Sequence, residues 1–403
     1  MPQLASHIQA VPESGIRRIH EIALRLDDVI SLAVGEPDVS VAPHIVEAAQ
    51  DAWGAGHTDY TANGGIPQLR HAIVEKLARN NGITVQTEQV WVTAGATQGL
   101  HQAMAILLDP GDEVLLPDPG YTTFTMNARM LDATPVPYPM RAADGFLPDL
   151  AELERLVTDR TRVIIVNSPS NPLGTVFPAD LQRQLLEFAK KHDLWVISDE
   201  VYEAFTWGQP HVSMASLDDD NRVFSVFSLS KTYAMTGIRI GYLVTPPGMG
   251  DTMRTVQEAS ISCASEPGQY AALAAITGPQ DAVKSARTHY LENLTAATAL
   301  LESRGIRYLQ PGGTFYLWID LGHAADGDVS AWAETFLLEQ RVSIAPGSAF
   351  GRSGEGWIRV NLAKNRADLL EGLGRLPAPD RRAANRPAKL TAAPQRAAMR
   401  GMC

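Results

Sequence analysis

Cysteine is nearly missing from this chain: among 403 residues only Cys263 and the terminal Cys403 carry thiols. Two such positions cannot build a disulfide framework, and neither they nor the ten histidines show metal-ligand spacing, so no structural metal is expected. Long apolar runs are missing as well. No stretch reaches the roughly 18 uninterrupted apolar residues of a membrane span, and the N-terminus lacks a basic-then-apolar signal pattern. The expectation is a cytoplasmic protein that does not span a membrane. Positive charge is in deficit, with 34 Lys and Arg against 45 Asp and Glu and a net charge of -11, which argues against a nucleic-acid partner. No G-x-G-x-x-G turn follows the first strand pattern, which removes a dinucleotide-binding reading. There is no internal repeat.

What is present is an ordinary globular balance, 45% hydrophobic and 20% charged, in a chain too long for one core. Fully apolar, β-rich runs recur at Val90 to Thr93, Glu113 to Leu116, Arg162 to Val166, Leu194 to Ile197 and Val223 to Phe227. Such runs suit strands covered on both faces, and helical patterns such as Gln182 to His192 lie between them. The centre of the chain therefore reads as α/β with a mainly parallel sheet. After about Asp281 the pattern becomes a long helix through Arg304, strands at Thr314 to Ile319, Val342 to Ala345 and Trp357 to Val360, and helices at Val329 to Gln340 and Arg366 to Leu376. These spacings predict an N-terminal segment (1–45) packed on a small α+β domain (281–376), a large domain (46–280) and a tail (377–403). The tail carries six Arg and Lys against one Asp, with four prolines, and reads as disordered. Without its +5 the remaining chain carries -16.

In open parallel sheets ligands collect beyond the carboxyl ends of the strands, and the chemically suggestive residues fall there repeatedly. Lys231 follows Phe227-Ser228-Leu229-Ser230 and precedes Gly237-Ile238-Arg239. A lysine so placed can form a Schiff base with an aldehyde while its neighbours hold a phosphate. Alone it would read as a surface lysine. After Val90 to Thr93 comes Ala94-Gly95-Ala96-Thr97, where a helix opens with free N–H groups and the Thr97 hydroxyl. Alone, such a stretch is more often a packing turn than an anion site. Asn167-Ser168-Pro169-Ser170-Asn171-Pro172-Leu173-Gly174 is a proline-stiffened loop that would aim the Asn171 amide. Asp199 and Tyr202 end the next strand, where a buried carboxylate needs a cationic or hydrogen-bonding partner, although a helix cap is the plain alternative.

Together these pieces resemble the class I/II pyridoxal-phosphate aminotransferases of fold type I, which are aspartate-aminotransferase-like. The resemblance runs from Ser14-Gly15-Ile16-Arg17 to Leu376. Five motifs carry it, in order: Gly35-Glu36-Pro37-Asp38; Tyr60-Thr61 with Gly65 and Leu69-Arg70; Asn171-Pro172-Leu173-Gly174; Ser228 to Lys231 with Gly237 and Arg239; and Pro346-Gly347 with Phe350-Gly351 leading to Arg359. The resemblance implies pyridoxal 5′-phosphate as cofactor, with Lys231 as anchor and acid/base. It puts Asp199 at the pyridine nitrogen, Asn171 and Tyr202 at the ring 3′-oxygen, and Tyr121 against the ring. Ser228, Arg239 and the Gly95-Ala96-Thr97 turn would hold the phosphate, with Tyr60 reaching in from the other subunit of a homodimer that shares its active sites. Arg359 would grip the substrate α-carboxylate and Gly35 would lie against the substrate. Phe315 and Tyr316 would line or support the pocket.

The implied reaction moves the α-amino group of an L-amino acid to a 2-oxo acid, 2-oxoglutarate or a similar acceptor, by a ping-pong mechanism. Similar enzymes that prefer aspartate often carry a Trp where this chain has Tyr121, which counts against strict aspartate specificity. A lyase, decarboxylase or synthase on the same framework would keep the equivalents of Lys231, Asp199 and Arg359.

Overall fold

The structure is a computed structural model that describes residues 3–380 and 388–392. Its centre is a seven-stranded sheet made of β1 (Val90–Thr93), β2 (Glu113–Asp118), β3 (Thr134–Pro139), β4 (Thr161–Asn167), β5 (Trp195–Asp199), β6 (Val223–Ser228) and β7 (Gly241–Val244). The spatial order is β1-β7-β6-β5-β4-β2-β3. Only β7 runs against the rest, being antiparallel to both of its neighbours. The expected mainly parallel sheet is thus observed, and the fold is α/β.

Alternation within the strands explains why the sheet is covered on both faces. Leu115, Ile164, Val166 and Val196 face one apolar cluster, while Val114, Leu116, Val163, Ile165 and Ile197 face another. With side chains on both faces out of water, strands of this kind need helices on each side, and Ala179–Lys191 is one of them. Its apolar stripe of Leu181, Leu185, Leu186, Phe188 and Ala189 joins the first cluster.

A second sheet of five strands contains β8 (Tyr308–Leu309), β9 (Tyr316–Asp320), β10 (Ala345–Pro346), β11 (Trp357–Asn361) and β12 (Lys389–Leu390), in the order β10-β11-β9-β8-β12. Two readings of the sequence change here. The stretch Val342 to Ala345 is two strands in different sheets: Val342–Ser343 pairs parallel with Ile30–Ser31, and Ala345–Pro346 pairs antiparallel with β11. The tail expected to be disordered is not so at 388–392, because β12 lies parallel to β8, with Tyr308 N–H donating to Ala388 O and Gln310 N–H to Leu390 O. Edge-strand pairing needs only two accessible N–H groups and an extended partner, so low hydrophobicity did not prevent it. Residues 381–387 and 393–403 of the tail lie outside the described residues.

Four helices border or brace the carboxyl ends of the large sheet: α1 (Gly15–Ala23), α2 (Ala96–Leu107), α3 (Leu229–Thr232) and α4 (Asp281–Ser303). Helix α1 is capped by Ser14, whose hydroxyl accepts from Arg17 N, and it packs against β10 and the helix Val329–Gln340. Among the described residues no helix is long and apolar enough to cross a membrane.

Candidate active site

The carboxyl ends of β1, β4, β5 and β6 converge on a cavity of about 340 Å³. It is lined from three directions: by the ends of the large sheet, by β9 and β11 through Tyr316 and Arg359, and by α1 with the Val34-Gly35 segment. Of the residues singled out in the sequence, Gly35, Ala96, Thr97, Tyr121, Asn171, Asp199, Tyr202, Ser228, Lys231, Arg239 and Arg359 all border it. Gly95 stands just behind this wall. Tyr60 does not border it, and its side chain is 87% exposed.

Lys231 reaches the cavity because β6 ends in a one-turn helix. The Ser228 hydroxyl accepts from Ser230 N–H at 3.1 Å, which caps α3 and sets Lys231 one residue further on. Its Nζ donates to Gly35 O at 2.7 Å. Burial pulls the amine down to about 8, helped by the charges of Arg359 and Arg239 and opposed by those of Glu36 and Asp199. Asp199, at the last position of β5, moves the other way. Burial pushes its carboxyl up to about 7, the neighbouring Glu200 adds to this, and the Val201 N–H at 3.3 Å and the charge of Lys231 oppose it.

Arg359 is only 2% exposed, and its guanidinium is held on three sides. Nη1 donates to Asn171 Oδ1 at 2.8 Å, Nη2 donates to Ala33 O at 2.5 Å, and the plane sits 4.1 Å over the Tyr316 ring and 4.9 Å over Phe350. Nε is buried without a partner, an uncommon state that leaves a donor for an anion entering the cavity. The hydroxyls of Tyr202 and Tyr316 share a hydrogen bond of 2.7 Å, and burial raises both phenols.

Two glycines are dictated by close approach. A Cβ at Gly35 would stand 2.0 Å from the Tyr316 hydroxyl, and one at Gly95, where φ is +80°, would stand 2.4 Å from Arg239 Nη2. Gly95 precedes the first residue of α2, so the Arg239 guanidinium lies near the N-terminus of that helix. Arg239 is itself left-handed, with φ +62°, and its Nη1 donates to Thr236 O at 2.9 Å.

Some contributors carry no signal in the sequence. Asn167 ties two loops together: its Oδ1 accepts from Asn171 N–H at 2.8 Å and its Nδ2 donates to Asp199 O at 3.1 Å. Arg17 and His20 line the cavity from α1. Their i, i+3 spacing gives them one helix face, but nothing local says what that face meets. Outside the cavity, three carboxylates at Asp218, Asp219 and Asp220 lie close enough to hold an ion. Asp218 Oδ2 already accepts from the N–H groups of Arg222 and Val223, as in a loop that closes on its own backbone.

A family model described as aminotransferase class I and II matches residues 27–376. The chain is 35% identical over 378 residues to an aspartate aminotransferase of Pyrococcus horikoshii, covering 93% of this chain and 96% of that protein. It is 34% identical to aromatic-amino-acid aminotransferase 2 of Thermococcus litoralis, covering 93% and 97% respectively. The solved structure of aspartate aminotransferase from Thermus thermophilus with maleate superposes with a TM-score of 0.88 at 33% identity, over 93% of this chain and 99% of that one.

Proposed function

The chain belongs to the class I and II aminotransferases, which work with pyridoxal 5′-phosphate, and from that premise we propose a role for each residue of the cavity. One observation carries the assignment: an amine drawn down to about 8, a buried carboxyl near 7 and an arginine with an unpaired buried Nε share one cavity. Lys231 and Asp199 fit the cofactor, since an aldehyde would engage the amine and a ring N–H the carboxyl, while Arg359 is left for the substrate. When bound, pyridoxal phosphate supplies an aldehyde and an electron-withdrawing ring.

Lys231 anchors the cofactor and then, as a free amine, moves the proton at the substrate Cα. Asp199 holds negative charge at the ring nitrogen. Asn171 and Tyr202 hydrogen-bond the ring 3′-oxygen, and Tyr121 lies against the ring face. Ser228, Arg239 and the Gly95-Ala96-Thr97 turn take the phosphate through charge-assisted and backbone hydrogen bonds. Arg359 takes the α-carboxylate, with Asn171 and the Tyr316 ring holding its plane. Gly35 keeps that approach open.

The substrates are amino acids and 2-oxo acids. Relatives named for aspartate and for aromatic amino acids support an L-amino acid donor of one of those classes with 2-oxoglutarate or a similar acceptor. Absorption of the purified protein, followed while amino acids are added without any oxo acid, tests this. Donors should convert the visible band to the pyridoxamine form. A band that persists while ammonia, pyruvate or carbon dioxide accumulates would mean lyase or decarboxylase chemistry.

Residues 46–280 act as the large domain that carries the cofactor cradle, 281–376 as the small domain that carries Arg359, and 1–45 pack on the latter, with 377–403 as a basic tail. The protein works in the cytoplasm as a homodimer with shared sites. The 87% exposure of Tyr60 supports this, because a tyrosine so free of its own subunit is available to a neighbour's phosphate. Sedimentation at micromolar concentration should give about twice the 43.6 kDa chain mass. A monomer of full activity would end the shared-site reading.

Two further outcomes are expected from the charges. Arg359→Lys should raise KM for the donor about 100-fold, since a point charge cannot replace a two-pronged fork, while the visible band stays. Loss of the band instead would contradict the role of Arg359. The amine form of Lys231 is the nucleophile, so below about 8 capture of pyridoxal phosphate by apoprotein should rise about tenfold per pH unit and level off above it. Stopped-flow absorbance measures this. A rise continuing to 10.5, the ordinary lysine value, would show that burial has no such effect.

A further inference from the structure

A second cavity, of about 630 Å³, lies on the other side of the Lys231 turn, and Ser228 borders both. One of its walls is a buried polar network that takes no part in the amino transfer itself. At its centre is Glu200, next in sequence to Asp199 and 1% exposed. Its Oε1 accepts from Ser198 Oγ at 3.0 Å and from Met214 N–H at 3.3 Å. Its Oε2 accepts from Ser213 Oγ at 2.6 Å and lies 2.7 Å from His211 Nε2. The other ring nitrogen of His211, Nδ1, is buried without a partner.

Four donors around one carboxylate stabilise its ionised form, and a buried anion of this kind requires a counter-charge. Burial alone would lower the His211 imidazole, but the hydrogen bond to Glu200 and the Glu200 charge outweigh it and leave the imidazole raised. The other charged groups facing the pair balance each other. Glu203 is ion-paired with Lys76, whose Nζ also donates to Asn81 Oδ1 at 2.9 Å and Tyr242 OH at 3.2 Å. Asn81 Nδ2 links this second pair to the first by donating to Glu203 Oε2 at 2.5 Å and Ser213 Oγ at 2.7 Å. Arg287, at the cavity rim, is taken up by the carbonyls of Ala204 and Thr206. On the reaction side stand Asp199 and Lys231.

We propose that Glu200 and His211 form a charge-compensated pair that sets the potential at Asp199, and through it at the cofactor ring nitrogen, making His211 a positioning residue for a cavity it does not line. The proposal rests on the role of Asp199 at that nitrogen. With His211 protonated, its charge offsets part of the Glu200 charge felt at Asp199. With His211 uncharged, the anion of Glu200 acts unopposed on the carboxylate beside it and on any positive charge held in the site.

The test is the pH midpoint of the visible band of the holoenzyme. In His211→Gln the uncovered Glu200 charge favours the protonated chromophore, and the midpoint should rise by about one pH unit, the size expected for two charges roughly 10 Å apart in a partly buried setting. In the double variant Glu200→Gln/His211→Gln both charges are gone, and the midpoint should return to the wild-type value. An unmoved midpoint in the single variant, or an equal rise in the double variant, overturns the proposal, because a packing defect would not be undone by a second substitution. Should His211→Gln fail to fold, nitrogen NMR of histidine-labelled wild-type protein decides. The expected result is a His211 ring that keeps both protons to a higher pH than an ordinary imidazole does, and a ring that loses one no later than an ordinary imidazole overturns the pair. A wild-type holoenzyme with no titrating visible band would strike the role of Lys231 instead, and the NMR result would still decide the pair.

Discussion

Lys231→Ala should abolish the visible absorption band and lower turnover on the order of 10⁴-fold or more, because one amine is both the nucleophile that anchors the cofactor and the base that moves the Cα proton. The structure makes substitution by a neighbour difficult. Lys231 Nζ donates to Gly35 O, so the amine is aimed at the segment beside which substrate must lie. No second lysine borders the cavity among the described residues. Added methylamine, as a small exogenous base, should restore part of the rate without restoring a covalent link. Retention of the band in the alanine variant, or activity within tenfold of wild type, would remove Lys231 from both roles.

Asp199→Asn should lower kcat by about 10³-fold while leaving the protein folded and able to take up cofactor. The carboxyl is 6% exposed, and its side chain accepts from the Val201 N–H, too little to offset burial, which pushes it to about 7. A ring N–H placed beside it would reverse that balance, holding the carboxylate charged and the ring protonated. Asparagine has the same shape and no charge, so it would keep the contact and lose the field. Stopped-flow measurement of the amino-acid half-reaction, with a Cα-deuterated donor, separates the two effects. The variant should show a larger isotope effect than wild type, since proton removal becomes the slow step. An unchanged rate would mean that Asp199 only supports the strand end.

Much of this site could be read in the sequence because strand ends write themselves locally. Val90 to Thr93 and Val223 to Phe227 are apolar at nearly every position and then stop at Gly95 and Ser228, so both the sheet and the rim where function gathers are visible in one dimension. The fold and the amino-transfer reaction followed from such motifs. The positioning layer did not. Asn167 looks like any loop asparagine until its amide is found bridging Asn171 and Asp199. Arg17 and His20 gain meaning only when α1 is laid across the cavity. His211 lies twelve residues after Asp199 in a loop rich in turn formers, and its pairing with Glu200 is a fact of tertiary packing. The division of Val342 to Ala345 between two sheets was equally hidden, since both halves are short, buried and β-forming.

The strand at Lys389–Leu390 has a practical consequence for anyone who handles this protein. It occupies the free side of Tyr308–Leu309 and takes up the N–H groups of Tyr308 and Gln310. A gene shortened at Leu376, where the family match ends, would keep the whole active site and still leave that sheet edge bare, a template for strand addition between molecules. Shortened protein should therefore be catalytically competent but lost to precipitation on storage at high concentration. Expression vectors would do better to keep residues 388–392.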